Sequence, residues 1–234
     1  LHLGRGEAQL SLDGSGGSLH RRGYRAAMGL APLKENLAAG LIRLTQWDGT
    51  VPLVDPCCGS GTLLIEAVLS ALQQAPGLER RFSLEGWADF RAELWDEECE
   101  RARNRRRRDL TLPAVIGIEQ DAGIAEQARD NVAAAGLAGV IDIRQGHFDG
   151  QDLPDGPGVM VCNPPYGERL GDANNLDGFY SDLGNYARQQ ASGWQLWLLS
   201  GNPKLTGALR LKASRRIPVS NGGIDCRWLH YAIR

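Results

Sequence analysis

Short hydrophobic runs alternate along this chain with longer segments in which apolar residues recur every three or four positions. The runs at residues 51–54, 114–118, 140–143, 158–162 and 194–199 predict buried strands. The segments at residues 33–47, 62–75, 122–135 and 176–190 have the helical period. Strands that alternate with helices need right-handed crossovers, so the sequence predicts an α/β protein with a parallel, Rossmann-like sheet and helices on both faces.

The two ends of the chain depart from this alternation. Segments 214–219 and 226–233 flank the turn sequence Asn221-Gly222-Gly223, which predicts that an antiparallel C-terminal hairpin closes the sheet. Residues 76–112 interrupt the alternation and predict a helical insertion. Residues 1–30 predict a strand and an extended arm, and residues 31–234 predict the α/β domain. Because the sequence begins with Leu1, we expect it to be a fragment of a longer chain.

The composition excludes several classes of protein. Of the 234 residues, 42% are hydrophobic and 23% are charged, which is typical of a soluble globular domain. The formal net charge is −2, so any nucleic acid must be bound by a local basic patch. No apolar run approaches the roughly 18 residues of a membrane span, and we expect a cytoplasmic protein with no membrane partner. The five cysteines form no CxxC pair, which disfavours both a disulfide framework and a metal site.

The sequence DPCCGSGT at residues 55–62 lies directly after the first predicted strand and directly before a helix. Its glycines allow the backbone to approach a ligand closely, and the helix N-terminus favours an anion. A Walker loop needs a Lys that is absent here, and Leu64 occupies the position of the third glycine of a dinucleotide fingerprint. An acidic residue followed by a short Gly-x-Gly suits S-adenosylmethionine, with the acid at its ammonium, directly or through water, and the loop backbone at its carboxylate. The alternative is a turn without a ligand; the predicted cofactor-binding residues are Asp55, Cys57, Gly59, Gly61 and Thr62.

A second acidic residue, Glu119, ends the next predicted strand. In parallel nucleotide-binding sheets a carboxylate at this position accepts hydrogen bonds from the ribose hydroxyls. Glu119 and its neighbour Gln120 are therefore predicted to bind the cofactor. Asp121 is interpreted either as the N-cap of the following helix or as a further contact.

The motif Asn163-Pro164-Pro165-Tyr166 follows the fourth predicted strand and belongs to the same edge of the sheet as the glycine loop. The side-chain oxygen of Asn163 and the carbonyl of Pro164 can accept the two N–H groups of a planar amine and aim its nitrogen at a methyl group. The prolines restrict the backbone before substrate binds, and Tyr166 can stack on an unpaired base. Asn163, Pro164 and Tyr166 are the predicted catalytic residues, with Asn163 also beside the cofactor and Tyr166 on the substrate.

Several further blocks occur in the same chain: SLHRRGYR at 18–25, APLKENL at 31–37, NPPYGERLG at 163–171 and NGGIDC at 221–226. Together with DPCCGSGT they resemble the catalytic domain of the bacterial 23S rRNA guanine-N2 methyltransferases that carry an N-terminal THUMP domain. The resemblance implies a class I methyltransferase fold, S-adenosylmethionine as cofactor, and 23S rRNA or its assembly precursor as partner. The implied methyl acceptor is the exocyclic N2 amine of a guanine, and residues 1–30 are implied to follow a THUMP domain.

The acceptor is the point on which other interpretations differ. DNA adenine-N6 methyltransferases and protein glutamine methyltransferases share the Asn-Pro-Pro-Tyr motif, because all of them present a planar nitrogen to a methyl group. A non-catalytic RNA-binding module that has kept the fold is the alternative from a different class.

The resemblance also implies an adenine-binding block at residues 145–149. The family usually has an acid, in contact with the adenine amino group, where this chain has His147. Either His147 accepts through a ring nitrogen or Asp149 takes its place. Phe148 is predicted to neighbour the adenine through its backbone N–H and its ring.

Two basic segments are candidates for RNA contacts. Six arginines between Arg101 and Arg108 are predicted to continue a helix, either as a solvated face with pairs such as Glu97–Arg101 or as a phosphate-binding patch. The second segment, residues 20–25, mixes basic and aromatic side chains. It either contacts the substrate RNA or braces the sheet, and its predicted substrate-binding residues are Arg21, Arg22 and Arg25.

Overall fold

The computed structural model describes residues 2–4, 6–25, 33–166 and 173–234. Its strands are β1 (His2–Gly4), β2 (Glu7–Gln9), β3 (Leu53–Asp55), β4 (Val115–Glu119), β5 (Ile141–Gln145), β6 (Val159–Cys162), β7 (Gln195–Ser200), β8 (Arg215–Asn221) and β9 (Ile224–Ala232). Its helices are α1 (Glu35–Thr45), α2 (Thr62–Ala71), α3 (Ala92–Asn104), α4 (Ala122–Ala134), α5 (Ala173–Gln190) and α6 (Pro203–Ala208). The end of the predicted arm, at 26–30, and parts of two sequence blocks, at 31–32 and 167–171, lie outside the described residues.

Seven strands form one mixed sheet in the order β5-β4-β3-β6-β7-β9-β8. The first five strands of this order run parallel, whereas β9 pairs antiparallel with both β7 and β8. The five predicted strands are all present, and the predicted fold, a Rossmann-like sheet that ends in an antiparallel hairpin, is confirmed. Strands β1 and β2 form a separate two-stranded sheet.

Helices cover both faces of the large sheet. On one face Leu53 and Val115 belong to a buried cluster with α1, α2 and α4, and on the other Val54 and Ile116 belong to a cluster with α5 and α6. Successive residues of a strand point to opposite faces, and here both faces are apolar, which explains the continuous hydrophobic runs in the sequence. Trp194 and Trp197, for example, are each only 2% exposed.

The insertion at residues 76–112 contains a 3-10 turn (Ser83–Gly86) and α3. This helix ends at Asn104, so the prediction that the arginine-rich segment continues it to Arg108 is wrong. Like charges one helical turn apart destabilise a helix, and the N–H of Arg107 donates instead to the carbonyl of Leu72 at 2.8 Å. The pairing within α3 also differs by one residue, because Arg101 contacts Glu98, at 3.0 Å, and not Glu97.

Helix α6 is the element that the apolar pattern did not indicate. It has six residues, too few for a visible helical period, and it begins with Pro203 at its first turn. The side chain of Asn202 caps it by accepting the N–H groups of Lys204 and Leu205.

Candidate active site at the carboxyl edge of the sheet

The predicted site residues are brought together where the strand order reverses. From β3 the chain proceeds through α2 to β4 on one side, and from β5 it crosses over to β6 on the other, so β3 and β6 are neighbours with diverging connections. Ligands of open α/β sheets bind in the crevice outside the carboxyl ends of such a strand pair. The glycine loop follows β3 and Asn163 follows β6, so both line this crevice.

The glycine loop makes a tight turn between β3 and α2. Gly59 and Gly61 have φ angles of +53° and +79°, in the left-handed region that favours glycine. A Cβ atom on Gly59 would meet no protein atom within 4 Å, so its Cα hydrogens face open space. The backbone of the loop is therefore accessible to a ligand at this point, at the N-terminus of α2.

Hydrogen bonds from three elements fix the loop. Asp55 Oδ1 accepts the N–H of Cys57 at 3.1 Å, and the N–H of Cys58 donates to the carbonyl of Ile118 in β4 at 2.9 Å. From α4, the side-chain amide of Asn131 donates to the carbonyl of Ser60 at 3.0 Å. Sequence reasoning missed Asn131. The available signal was that this polar residue lies on the same buried face of α4 as Ala128.

Glu119 connects the end of β4 to the loop. Its Oε2 accepts the N–H of Gly59 at 3.0 Å and its Oε1 accepts the N–H of Asp121 at 2.9 Å. Each carboxylate oxygen can accept a second hydrogen bond, so the residue can brace the loop and bind a hydroxyl together. Asp121 is the N-cap of α4, where its side chain accepts the N–H of Ile124 at 2.9 Å. Gln120 is exposed, and its carbonyl accepts the side chain of Gln145.

Asp55 is a buried acid, 2% exposed, with no basic side chain bonded to it among the described residues. Burial raises the pKa of Asp55 to about 8. The hydrogen bond from the Cys57 N–H acts in the opposite direction and lowers the pKa, and the nearby charge of Glu119 raises it by a smaller amount. A buried acid with this pKa is one that a cationic ligand group would return to its ionised form. The carboxyl, the open backbone at Gly59 and the Glu119 carboxylate therefore fit the ammonium, carboxylate and ribose of S-adenosylmethionine.

Asn163 presents an unused acceptor. Its side-chain oxygen is buried and has no hydrogen-bond partner among the described residues, although buried oxygens almost always have one. Pro164 is buried directly after it, and the carbonyl of Pro165 accepts the hydroxyl of Tyr180 at 3.3 Å. The oxygen of Asn163 is thus available for an N–H group from outside the protein.

Tyr166 is bound by the C-terminal hairpin. Its phenolic oxygen accepts the side-chain amide of Asn221 at 2.7 Å and lies 3.6 Å from Cys226 Sγ. A Cβ atom on Gly201 would lie 3.3 Å from Cδ2 of the ring, so Gly201 leaves room for it. Burial raises the pKa of Tyr166 to about 12. Sequence reasoning did not assign Asn221 or Gly201 to the site, although Asn221 begins one of the blocks that carry the resemblance.

The block at residues 145–149 lies after β5. Phe148 is 2% exposed and packs edge-on against Phe179 with ring centroids 5.6 Å apart. The exposed ring of His147 lies over Phe148 at 4.2 Å, and its Nδ1 accepts the N–H of Asp149 at 3.4 Å. In a neutral ring whose Nδ1 accepts, the second nitrogen, Nε2, carries the proton and is a donor. In this arrangement Nε2 does not accept an adenine amino group.

The basic segment near residue 20 is held by acids of the helices. Arg22 pairs with Glu66 at 3.3 Å, and the hydroxyl of Tyr24 donates to the same carboxylate at 3.0 Å. Arg25 donates to Thr62 Oγ1 at 2.6 Å and lies 3.8 Å from Glu35. The contacts of Arg22 and Arg25 agree with the alternative in which this segment braces the sheet. The side chain of Arg21, in contrast, is exposed. The predicted residue Thr62 therefore connects the glycine loop to this segment.

Cysteines and acids of the described residues form no metal-binding group, and the five cysteines are free. The thiol of Cys57 contacts that of Cys162, and this hydrogen bond together with burial keeps its pKa well above the usual value. Cys57 is accordingly a packing residue between β3 and β6. Among the described residues, no helix is long and apolar enough to cross a membrane.

A crevice at a strand-order reversal, an acidic glycine loop and an amide oxygen without a partner among the described residues are features expected of a class I methyltransferase. Comparison with sequence families places the chain within this class. The profile of the RMKL-like methyltransferase domain matches residues 22–230, and the chain belongs to this family.

Three known proteins illustrate the similarity. The chain is 44% identical over its whole length to a ribosomal RNA large subunit methyltransferase K/L of Syntrophotalea carbinolica. The crystal structure of SMU.472 complexed with SAH superimposes with a TM-score of 0.88 at 32% identity, covering 95% of this chain and 58% of that one. The crystal structure of a predicted N6-adenine-specific DNA methylase from Listeria monocytogenes has a TM-score of 0.86 at 35% identity, covering 95% and 57%.

The chain spans 34% of the length of the Syntrophotalea relative and 60% of the length of a second curated relative. SAH is the demethylated product of S-adenosylmethionine. The cofactor prediction is therefore confirmed for this family of methyltransferases.

Proposed function

We propose that this chain transfers the methyl group of S-adenosylmethionine to the exocyclic N2 amine of a guanine in 23S rRNA. The observation that carries the proposal is the buried side-chain oxygen of Asn163, which has no partner among the described residues and follows the strand next to the glycine loop. A buried acceptor without a partner destabilises a protein, so its presence at the crevice indicates a donor supplied by the substrate.

Two acceptors on one rigid segment suit a planar amine. Asn163 Oδ1 accepts one N–H of the amine and the carbonyl of Pro164 accepts the other, which concentrates the lone pair on nitrogen and directs it away from the ring plane. S-adenosylmethionine, when bound, would supply an electrophilic methyl group, and its C–S bond would break with the electrons going to sulfur as nitrogen bonds to the methyl carbon. The N–H proton becomes acidic only when nitrogen is positively charged, and it passes to water, so the step requires no strong base.

The remaining residues bind and orient the reactants. Asp55 would pair with the ammonium of the cofactor, Glu119 and Gln120 would hold its ribose, and the block at 147–148 would hold its adenine. Tyr166 stacks on the guanine, whose release from its helix or loop exposes the amine. The Asn163 oxygen is buried, so the proposal requires the side chains around it to move aside when the base enters.

Large-subunit rRNA as the acceptor is supported by the name of the Syntrophotalea relative and by the basic segments of this chain. The same proposal places the protein in the cytoplasm with rRNA as its partner, and treats residues 31–234 as the methyltransferase domain preceded by an arm at 1–30.

A second candidate acceptor is the N6 amine of adenine in DNA. It is favoured by the similarity to the Listeria protein, which is described as a predicted N6-adenine-specific DNA methylase. The geometry of two acceptors facing a planar amine serves this acceptor equally well. The choice between guanine and adenine depends on the edge of the base that the crevice contacts, and a substrate screen separates them.

The deciding experiment offers cofactor with a labelled methyl group to protein-free 23S rRNA, double-stranded DNA and total protein. We expect label in the rRNA, recovered as N2-methylguanine after digestion. Asn163→Ala should reduce the rate by at least about a hundredfold, as losing one preorganised hydrogen-bonding group does, while cofactor affinity measured by calorimetry stays within about twofold. Label recovered as N6-methyladenine in DNA would establish the second candidate, and bound cofactor without transfer to any acceptor would refute both.

A further inference from the structure

The arginine-rich segment lies at the edge of the sheet opposite the candidate active site. After α3 the chain passes the C-terminal end of α2, where the N–H of Arg107 donates to the carbonyl of Leu72. It then enters β4 through Leu110 and Leu112, at the amino end of that strand. Asn163 and the glycine loop lie at the carboxyl ends, so the arginines cannot contact the same nucleotide as these residues.

Most of the positive charge at this edge is not neutralised by acids. Farther back in α3, Arg101 pairs with Glu98 and Arg103 pairs with Glu100. Arg106 and Arg108, by contrast, are exposed and have no ion pair within the described part of the chain. Two acids lie near the segment. The pKa of Asp48 is lowered chiefly by hydrogen bonds from Thr50 and to a smaller extent by the charge of Arg107, and Asp109 lines the smaller cavity.

The surface beneath these arginines is concave. Two adjoining cavities of about 630 and 590 Å³ share Arg106, Arg107, Arg108 and Leu110. The lining of the larger one also contains leucines and the two glycines that precede β5, Gly136 and Gly139, so guanidinium groups and apolar residues share this surface. A concave surface lined by guanidinium groups can take a sugar-phosphate chain, with its phosphates bound by the arginines.

From these observations we propose that Arg106 and Arg108 form a second RNA-binding surface, the distal arginine surface, which binds the phosphate backbone of a folded RNA away from its methylated nucleotide. Guanidinium groups bind phosphate oxygens through paired hydrogen bonds, and such contacts position an RNA without reading its sequence. The chain as a whole has a net charge of −2, so the attraction is confined to this surface.

The separation of the two sites defines the substrate class. Strand β4, which leads from the arginine-rich segment to Glu119 at the active-site edge, has five residues, about 16 Å at the usual rise per residue, and the flanking loops add to this distance. A single-stranded oligonucleotide that fills the crevice does not reach the distal surface, whereas a folded rRNA domain contacts both. This inference rests on the proposed function, because it takes RNA as the substrate.

The test compares two double variants with equal changes in charge. In Arg106→Gln/Arg108→Gln both substituted residues are exposed and line the cavities. The control, Arg91→Gln/Arg101→Gln, changes two exposed arginines of the same insertion that line neither cavity. Affinity for protein-free 23S rRNA is measured between about 50 and 200 mM salt, together with thermal unfolding and cofactor affinity.

We expect Arg106→Gln/Arg108→Gln to weaken rRNA binding on the order of tenfold near 150 mM salt and to reduce the slope of log affinity against log salt by about two. The control should change rRNA affinity by less than about threefold, and cofactor affinity and unfolding temperature should be unchanged in both. Equal effects of the two variants, or no effect of either, would overturn the distal surface even where the wild-type chain methylates rRNA. If the wild-type chain binds cofactor but neither binds nor methylates rRNA, the proposed function fails as well.

Discussion

The side-chain amide of Asn221, at the tip of the C-terminal hairpin, donates a hydrogen bond of 2.7 Å to the phenolic oxygen of Tyr166. The two residues are 55 positions apart in the sequence. Tyr166 is the last residue of the Asn-Pro-Pro-Tyr motif, and Asn221 belongs to the hairpin. With a pKa of about 12, Tyr166 keeps its proton at neutral pH and accepts this bond as a neutral hydroxyl. The antiparallel hairpin therefore orients the ring that is proposed to stack on the base.

Replacing Asn221 by Ala should release the Tyr166 ring while leaving the cofactor site intact. A hydrogen bond of this kind contributes about 1 kcal/mol, so we expect kcat/KM for rRNA to fall about fivefold, mainly through KM, with cofactor affinity unchanged. Ser220→Ala, at an exposed position of the same hairpin, is the control. In Tyr166→Phe the bond is already lost, and adding Asn221→Ala should have little further effect; full additivity of the two changes would show that Asn221 does not act through Tyr166.

The open space at Gly59 predicts a selective loss of cofactor binding in Gly59→Ala. The substitution strains the backbone by about 1 kcal/mol, because φ is +53°, but the added methyl group meets no protein atom. We expect cofactor affinity to fall at least about tenfold. Gly136→Ala is the matched control, since it has φ +70° and equally open space at the end of α4. It should lower the unfolding temperature similarly with normal cofactor affinity; similar affinity losses in both variants would contradict the assignment.

The pKa of Asp55 predicts how stability changes with pH. Its folded-state value of about 8 exceeds the ordinary 3.8, so the folded protein binds this proton more tightly than the unfolded chain. The stabilisation is complete below the ordinary pKa and is lost as pH rises toward about 8. Asp55→Asn, which can still accept the Cys57 N–H, should therefore gain in unfolding temperature relative to wild type as pH increases. A difference that stays constant with pH would mean that Asp55 is ionised throughout.

The same carboxyl predicts the pH dependence of cofactor binding. If Asp55 must be ionised to pair with the ammonium, binding releases a proton below pH 8 and affinity increases toward that value. Calorimetry in buffers of different ionisation enthalpy measures the released proton. Asp55→Asn should bind more weakly and show no such release.

The contacts of Arg22 predict a structural effect on substitution. Removing its guanidinium leaves Glu66, whose side chain is 4% exposed, without a cation, and Arg22→Ala should lower the free energy of unfolding by about 3 kcal/mol. Adding Glu66→Gln should recover part of this loss by removing the buried charge. Arg21→Ala, at an exposed position, should change stability by less than about 0.5 kcal/mol and reduce only rRNA affinity. If Arg22→Ala left the stability unchanged, the bracing role of Arg22 would be wrong and its substrate-binding role would be favoured.

Local sequence determined which elements form and which of their ends carry chemistry. The strands are buried on both sides and therefore appear in the sequence as hydrophobic runs. Gly59 and Gly61 indicate a left-handed turn, and Asp121 indicates the start of a helix. Each of these features depends on a residue and its close neighbours. The prediction made α3 too long, because the path of the chain after this helix includes a bond from Arg107 to Leu72, the residue that caps the end of α2.

The tertiary structure decided the contacts between residues far apart in sequence. The bond from Asn221 to Tyr166, the brace from Asn131 to Ser60 and the pairing of Arg22 with Glu66 all join separate elements, and composition and periodicity do not encode such distances. The direction of the chain likewise decided the edge on which the arginines lie. Residues that precede a parallel strand lie at the amino edge of the sheet, and residues that follow it lie at the carboxyl edge. Sequence thus determined the chemical groups of this protein, and only the folded sheet decided which of them meet.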